Sequence, residues 1–177
     1  MVLRRSLFAA ALAALVSLPA TALAQRGSAT TQVGAAVGAE FGDLDGVALR
    51  GDVVVPLQQL DRQTTLSFVG LAGLTLFSEG DVDATVFKLV PAARLSLDLA
   101  PQFTVYGDAG LGLYFADVDF GPFGDDSEVG LVMRFAAGGL VAITPTVKVG
   151  AELALNPYFG DYDDNTASLM ATLLVDL

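Results

Sequence analysis

Carboxylates and cationic side chains are the main chemical groups this chain offers. It contains no histidine and no cysteine. Neither a Ser-His or Asp-His hydrolytic couple nor a thiolate nucleophile can therefore be assembled. Asp52 and Asp108 can in principle act as an acid and a base, but pairing with arginine is the plainer role for a carboxylate set among apolar residues. Ten charged residues share one parity within alternating stretches: Glu40, Arg50, Asp52, Lys88, Arg94, Asp108, Arg134, Lys148, Glu152 and Asp176. A second set is purely acidic, comprising Asp43, Asp45, Glu79, Asp81, Asp83, Asp117, Asp119, Asp125, Asp126, Glu128, Asp161, Asp163 and Asp164. Oxygen-rich groups of this kind suit Ca²⁺ or Mg²⁺, yet none has the glycine and glutamate spacing of an EF-hand loop. The expectation is a solvated, like-charged rim, with weak divalent-cation binding as the alternative. No cofactor is expected.

Eight alternating segments must position these groups. They run over Thr31 to Phe41, Val47 to Val55, Thr65 to Phe77, Asp83 to Leu99, Phe103 to Val118, Glu128 to Ile143, Val147 to Asn156 and Thr166 to Leu177. The fifth shows the pattern: in YGDAGLGLYFADV, Ala109, Leu111, Leu113 and Phe115 face one way, and Tyr106, Asp108, Gly110, Gly112 and Tyr114 the other. Successive side chains of a strand point to opposite sides. Each segment reaches the roughly 9–11 residues that a tilted strand needs to cross a bilayer. The connections PLQQLDRQ, APQ and TPT read as tight turns. The others, GDLDG, SEGDV, DVDFGPFGDD and NPYFGDYDDN, are acidic and rich in glycine, and the last two are longer.

One face of every segment is apolar and free of charge. The other carries the ten charged residues, Asp98 and many small ones, including Gly34, Ala36, Gly38, Gly73, Gly110, Gly112, Ala136, Gly138 and Gly150. A soluble lipocalin-like barrel would have to enclose all the large apolar side chains, more than eight strands can hold. Turning the apolar face to lipid removes that difficulty and leaves small residues for a narrow lumen. If the APQ turn centres its hairpin on Pro101, Arg94 lies directly across from Asp108. A hairpin centred near Gly160 to Tyr162 brings Lys148 close to Asp176. An unpaired buried charge costs several kcal/mol, so a paired lumen network is expected, with a polar ion path as the alternative.

The N-terminal residues MVLRRSLFAAALAALVSLPATALAQ combine a basic start at Arg4 and Arg5, an apolar run from Leu7 to Leu18 and the small-residue site Ala22-Leu23-Ala24. That is the pattern of a cleaved secretory signal peptide over residues 1–24, leaving residues 25–177 as one domain. Without Arg4 and Arg5 the chain has 7 basic residues against 20 acidic, a net charge of −13. Such a surface repels nucleic acid. Hydrophobic residues make up 53% of the chain, yet no window after the signal peptide offers the apolar run of a membrane helix.

Signal peptide, eight dyad-period strands, alternating turn and loop lengths, and the glycine-rich charged face of YGDAGLGLYF together resemble the small outer-membrane β-barrel superfamily. These are the OmpA/OmpX-like, porin-family barrels of Gram-negative bacteria. Two departures stand out: the chain ends LLVDL rather than in an aromatic residue, and it has no tryptophan. An aromatic girdle would have to come from Phe41, Phe87, Phe103, Phe115 and a few tyrosines. The resemblance implies an all-β fold, an eight-stranded antiparallel up-and-down transmembrane barrel with periplasmic termini, in the outer membrane. It implies outer-membrane lipid, lipopolysaccharide and the barrel-assembly machinery as partners. The expected function is non-enzymatic, structural or surface-interacting through acidic extracellular loops. The missing histidine excludes phospholipase-, omptin- and lipid A deacylase-like mechanisms that rely on it. The alternatives are a narrow channel or transporter for ions or small apolar solutes, and a soluble periplasmic lipocalin-like binder.

Overall fold

A computed structural model describes residues 30–79, 82–119, 125–160 and 165–177. The signal-peptide expectation and Asp81, Asp161, Asp163 and Asp164 lie outside these residues. Eight strands form: β1 (Gln32–Phe41), β2 (Gly46–Gln59), β3 (Thr64–Glu79), β4 (Val82–Ala100), β5 (Phe103–Asp119), β6 (Asp125–Ala142), β7 (Val147–Phe159) and β8 (Asn165–Asp176). Each pairs antiparallel with its neighbour in sequence, and β1 pairs with β8, closing the sheet into a barrel. Closure removes every free edge, which is what a sheet in hydrocarbon requires.

The strict alternation sets which residues go inside. Along β5, Tyr106, Asp108 and Tyr114 are buried, whereas Leu111 and Leu113 are exposed. The same parity exposes Val37, Leu49, Phe68, Leu95, Phe135, Leu153 and Leu173 around the wall. This outer apolar band has no counterpart in a soluble barrel, and it matches the lipid-facing belt of a membrane barrel.

The strands differ from the expected segments at their ends. β7 runs on through Pro157 to Phe159, β6 starts at Asp125 and β5 reaches Asp119. Consequently Glu79, Asp119, Asp125 and Asp126 belong to strand ends rather than loops, joining Asp83, Asp117 and Glu128, which the expected segments already included. Asp43 and Asp45 do sit in the β1–β2 connection. Strands of 19, 17 and 18 residues in β4, β5 and β6 are longer than a bilayer crossing needs. At this end Asp83, Asp119 and Asp125 occupy one register row across the three strands.

Prolines mark where the ladder is incomplete. Proline has no N–H to donate. The β4–β5 register passes from Leu89↔Leu113 to Ala92↔Gly110, omitting rungs at Val90 and Pro91. The β6–β7 register likewise passes from Val132↔Tyr158 to Phe135↔Leu155, beside Pro157. At Pro56 the β2–β3 register shifts by a bulge.

Two inner glycines are required by close backbone approach. A Cβ on Gly112 would collide with the Leu89 carbonyl oxygen and lie 2.7 Å from Val90 Cα. One on Gly38 would collide with the Leu169 carbonyl oxygen and lie 2.7 Å from Met170 Cα. Neither obstacle is a flexible side chain. Gly112→Val is therefore expected to destabilise the barrel by about 1–3 kcal/mol, the usual cost of overpacking. The urea midpoint of the detergent-folded barrel checks this, and an unchanged midpoint would mean that the wall yields at Val90.

The β2–β3 turn is organised by Asp61. Its carboxylate accepts the backbone N–H groups of Gln63 and Thr64, each at 2.8 Å, and the Thr64 hydroxyl at 2.9 Å. Those bonds, the one from Gln63 foremost, hold the carboxyl below the usual aspartate range. A depressed carboxylate adds its stabilisation above the unfolded-state pKa and loses it as pH falls through the folded one. The turn should therefore keep its order at mildly acidic pH. Asp61→Ala should speed amide exchange at Gln63 and Thr64 while leaving the barrel's strands protected.

Candidate functional site

The charged parity converges on the lumen. Eight charged side chains are buried among the described residues: Glu40, Asp52, Asp108 and Glu152 against Arg50, Lys88, Arg94 and Arg134. The interior is thus neutral as a whole, which is how buried charge becomes tolerable.

Three groups of contacts can be followed along the barrel. Nearest the end where β1 meets β2, Glu40 on β1 is 0% exposed and bonds across the lumen to Lys88 on β4, with Nζ 2.6 Å from Oε2. Glu40 also accepts the hydroxyls of Thr75 at 2.7 Å, Thr166 at 2.5 Å and Tyr158 at 2.9 Å, and a long bond from Asn156 at 3.3 Å. One carboxylate thus ties β1 to β3, β4, β7 and β8. In the next group Glu152 on β7, 1% exposed, receives Arg50 from β2 and Arg134 from β6 on its Oε1, and the Tyr106 hydroxyl at 2.9 Å on Oε2. Arg50 turns its Nε to Asp52: Oδ1 is 2.9 Å away, and the hydrogen bond goes to Oδ2 at 3.1 Å. In the third group Arg94 grips Asp108 with two parallel bonds of 2.7 Å, a bidentate fork. The Arg94 guanidinium carbon lies 4.0 Å from the centre of the Tyr106 ring.

Register explains the third group. Arg94 and Asp108 are directly opposed on β4 and β5, as the Pro101 turn predicts. Lys148 and Asp176 are also brought together, but at 3.8 Å and partly exposed at the turn end, where Asp176 accepts a 2.6 Å bond from Gln32. Asp98, on the same parity, is exposed and accepts the Thr104 hydroxyl at 2.6 Å. Three buried polar atoms have no hydrogen bond among the described residues: Asp52 Oδ1, Arg134 Nε and Thr172 Oγ1.

Apolar packing fills the rest, and here the interior departs from the expected small-residue lining. Phe77, Val86, Val90, Leu71, Val132, Tyr114 and Tyr158 pack together inside the wall toward the acidic end, with Leu44 from the β1–β2 connection against them. Val54, Val69, Tyr106, Leu140 and Leu174 pack together toward the turn end. Many glycines are spaces that these side chains occupy: Tyr106 lies over Gly138, and Leu174 over Gly34. Tyr106 and Tyr114 lie in the lumen, as their parity implies, and Tyr158 lies there too, so no described tyrosine joins the expected girdle. Among the described residues, outward aromatics include Phe41, Phe68, Phe103, Phe135 and Phe159. Phe87 and Phe115 form a cross-strand pair with ring centres 6.3 Å apart. Glu128 is a second correction. It is bound by the Tyr114 hydroxyl and is not a freely solvated rim acid.

The described residues hold no group of three or more His, Cys, Asp or Glu side chains arranged for a metal ion. Thr75, Tyr106, Asn156, Tyr158 and Thr166 complete the network and were not marked by charge; their only signal was their inward parity.

No protein-family model matches this chain, and no curated protein does either. Solved structures do. Neisserial surface protein A superposes with a TM-score of 0.68 at 19% identity, covering 83% of this chain and 96% of that one. The outer membrane enzyme PagL gives 0.57 at 18% identity, covering 82% and 99%. Ail, the attachment invasion locus protein of Yersinia pestis, gives 0.55 at 14% identity, covering 84% and 97%. The fold of this chain is that of these small eight-stranded transmembrane barrels.

Proposed function

We propose that this chain is an integral outer-membrane barrel without enzymatic activity, whose paired charges plug the lumen and whose acidic strand ends face the cell exterior. The observation that carries this reading is the neutral set of eight buried charges cross-linking the wall from within. A water-filled pore leaves its lining charges solvated, whereas here each buried cation is held by a carboxylate. The role is structural or surface-interacting, and the acidic end suits cationic partners or divalent ions bridging to lipopolysaccharide phosphates. The three short turns and the C-terminus share the opposite end, the periplasmic one in this reading. The same reading has the barrel inserted by the barrel-assembly machinery. Absence of histidine and cysteine supports the non-enzymatic reading.

Planar-bilayer recording tests it. The purified barrel is expected to give no stable openings, while Glu152→Ala is expected to introduce them by leaving Arg134 without a carboxylate and opening a hydrated gap beside it. Stable openings in the unaltered protein would favour the channel reading instead.

A further inference from the structure

The lipid-facing wall is not uniform. Where β4 and β5 omit rungs at Val90 and Pro91, an apolar groove of about 440 Å³ opens on the outer surface. Pro91, Ala93, Ala109 and Leu111 line it, together with Phe68 and Leu57. Ala93 and Ala109 are directly opposed on β4 and β5, in one register row with Phe68 on β3. Ala109 is midway along the outward apolar run from Phe103 to Phe115. Leu57, 60% exposed, lies near the end of β2, next to the β2–β3 turn. The groove therefore runs from mid-membrane down to the interface at the turn end.

That turn carries Arg62, the one exposed cationic side chain among the described residues. On a chain with 20 acidic residues against 9 basic, a lone exposed arginine beside a membrane groove is conspicuous. Arginine is suited to phosphate by its planar fork of donors.

We infer that this groove is a binding site for one anionic phospholipid of the inner leaflet, its acyl chain along Ala93, Ala109 and Leu57 and its phosphate at Arg62. The inference rests on the proposed orientation, with the turn end in the periplasmic leaflet. Missing side-chain volume at two alanines and a proline gives one acyl chain a recess between Phe68 and Leu111. The exposed guanidinium then distinguishes an anionic headgroup from a zwitterionic one.

Native mass spectrometry tests the site. The barrel is folded in nanodiscs of equal phosphatidylglycerol and phosphatidylethanolamine and released in the spectrometer. The unaltered protein should retain one phosphatidylglycerol. Ala93→Leu combined with Ala109→Leu fills the recess and should lose the lipid-bound species; Arg62→Gln should keep a bound lipid but lose the headgroup preference. Equal retention by the filled variant, no retained lipid on the unaltered protein, or release as a dimer that the filled variant abolishes would each overturn the inference. Heat-dependent gel mobility of every protein shows whether the barrel itself has formed, which separates failure of the site from failure of the fold. A readout that needs no variant is electron paramagnetic resonance with mid-chain spin-labelled phosphatidylglycerol. A motionally restricted population of one lipid per barrel, displaced by unlabelled phosphatidylglycerol, is expected; purely fluid annular lipid would contradict it.

Discussion

Replacing Glu152 with alanine is expected to destabilise the barrel by about 3–5 kcal/mol, the range for breaking a buried ion pair by removing one partner. Glu152 is 1% exposed and is the shared acceptor for Arg50, Arg134 and the Tyr106 hydroxyl. Its removal leaves two guanidinium groups in a closed interior. Arg50 retains Asp52, whereas Arg134 keeps only a 3.2 Å bond to Asn156. Glu152→Gln preserves shape and one acceptor oxygen but not the charge, and should fall between alanine and the unaltered protein. Urea unfolding of the detergent-folded barrel measures both. A loss below about 0.5 kcal/mol, the scatter of ordinary surface substitutions, would mean that water solvates the lumen arginines and that the interior is not sealed.

The second large effect is expected at Lys88. Lys88→Met removes the cation that faces Glu40, leaving a carboxylate at 0% exposure with neutral donors only. A loss of about 3–5 kcal/mol is again expected. The partner substitution gives the prediction its discrimination. With Glu40→Gln added, Lys88→Met should cost far less, because no buried charge is left unpaired. A coupling of roughly 0.5–3 kcal/mol between the two positions is the expected range for residues in one network. Strict additivity would show that the two side chains do not depend on each other.

Both predictions concern residues whose face could be read in the sequence but whose partners could not. Alternation assigns Glu152 to the inside, because every second residue from Ala154 back to Gly150 shares its direction. That Arg50 reaches it depends on the tilt and stagger of the closed barrel, which set which strands oppose each other across the lumen. β2 and β7 are not neighbours; β1 and β8 stand between them. Glu40 and Lys88 are separated in the same way by β2 and β3. Where partners are joined through a single hairpin, local geometry sufficed, and Arg94–Asp108 is the clear instance.

Strand ends were the other illegible feature. The alternation over β7 is interrupted at Pro157, so its continuation to Phe159 does not show in the pattern, although a proline can sit where the ladder lacks a rung. Acidic residues at the far ends of β5 and β6 read as loop because charge and glycine are turn signals. In the barrel those aspartates continue strands that rise above the apolar band. Parity places Tyr106 and Tyr114 inside, whereas the expected girdle counted a few tyrosines at the interface, and none of the described tyrosines is there. A carboxylate meets each hydroxyl, buried for Tyr106 with Glu152 and Tyr158 with Glu40, half-buried for Tyr114 with Glu128.

The barrel's stability and its sealed interior both require the apolar parity to face lipid and the charged parity to face a closed lumen. The most direct measurement is gel mobility of the outer-membrane fraction, run heated and unheated in mild detergent. The protein should be found in that fraction, and its band should shift on heating, as a closed barrel gives way to an unfolded chain. Recovery as a monodisperse protein without detergent, with no shift, would contradict that arrangement and place the apolar faces on the inside.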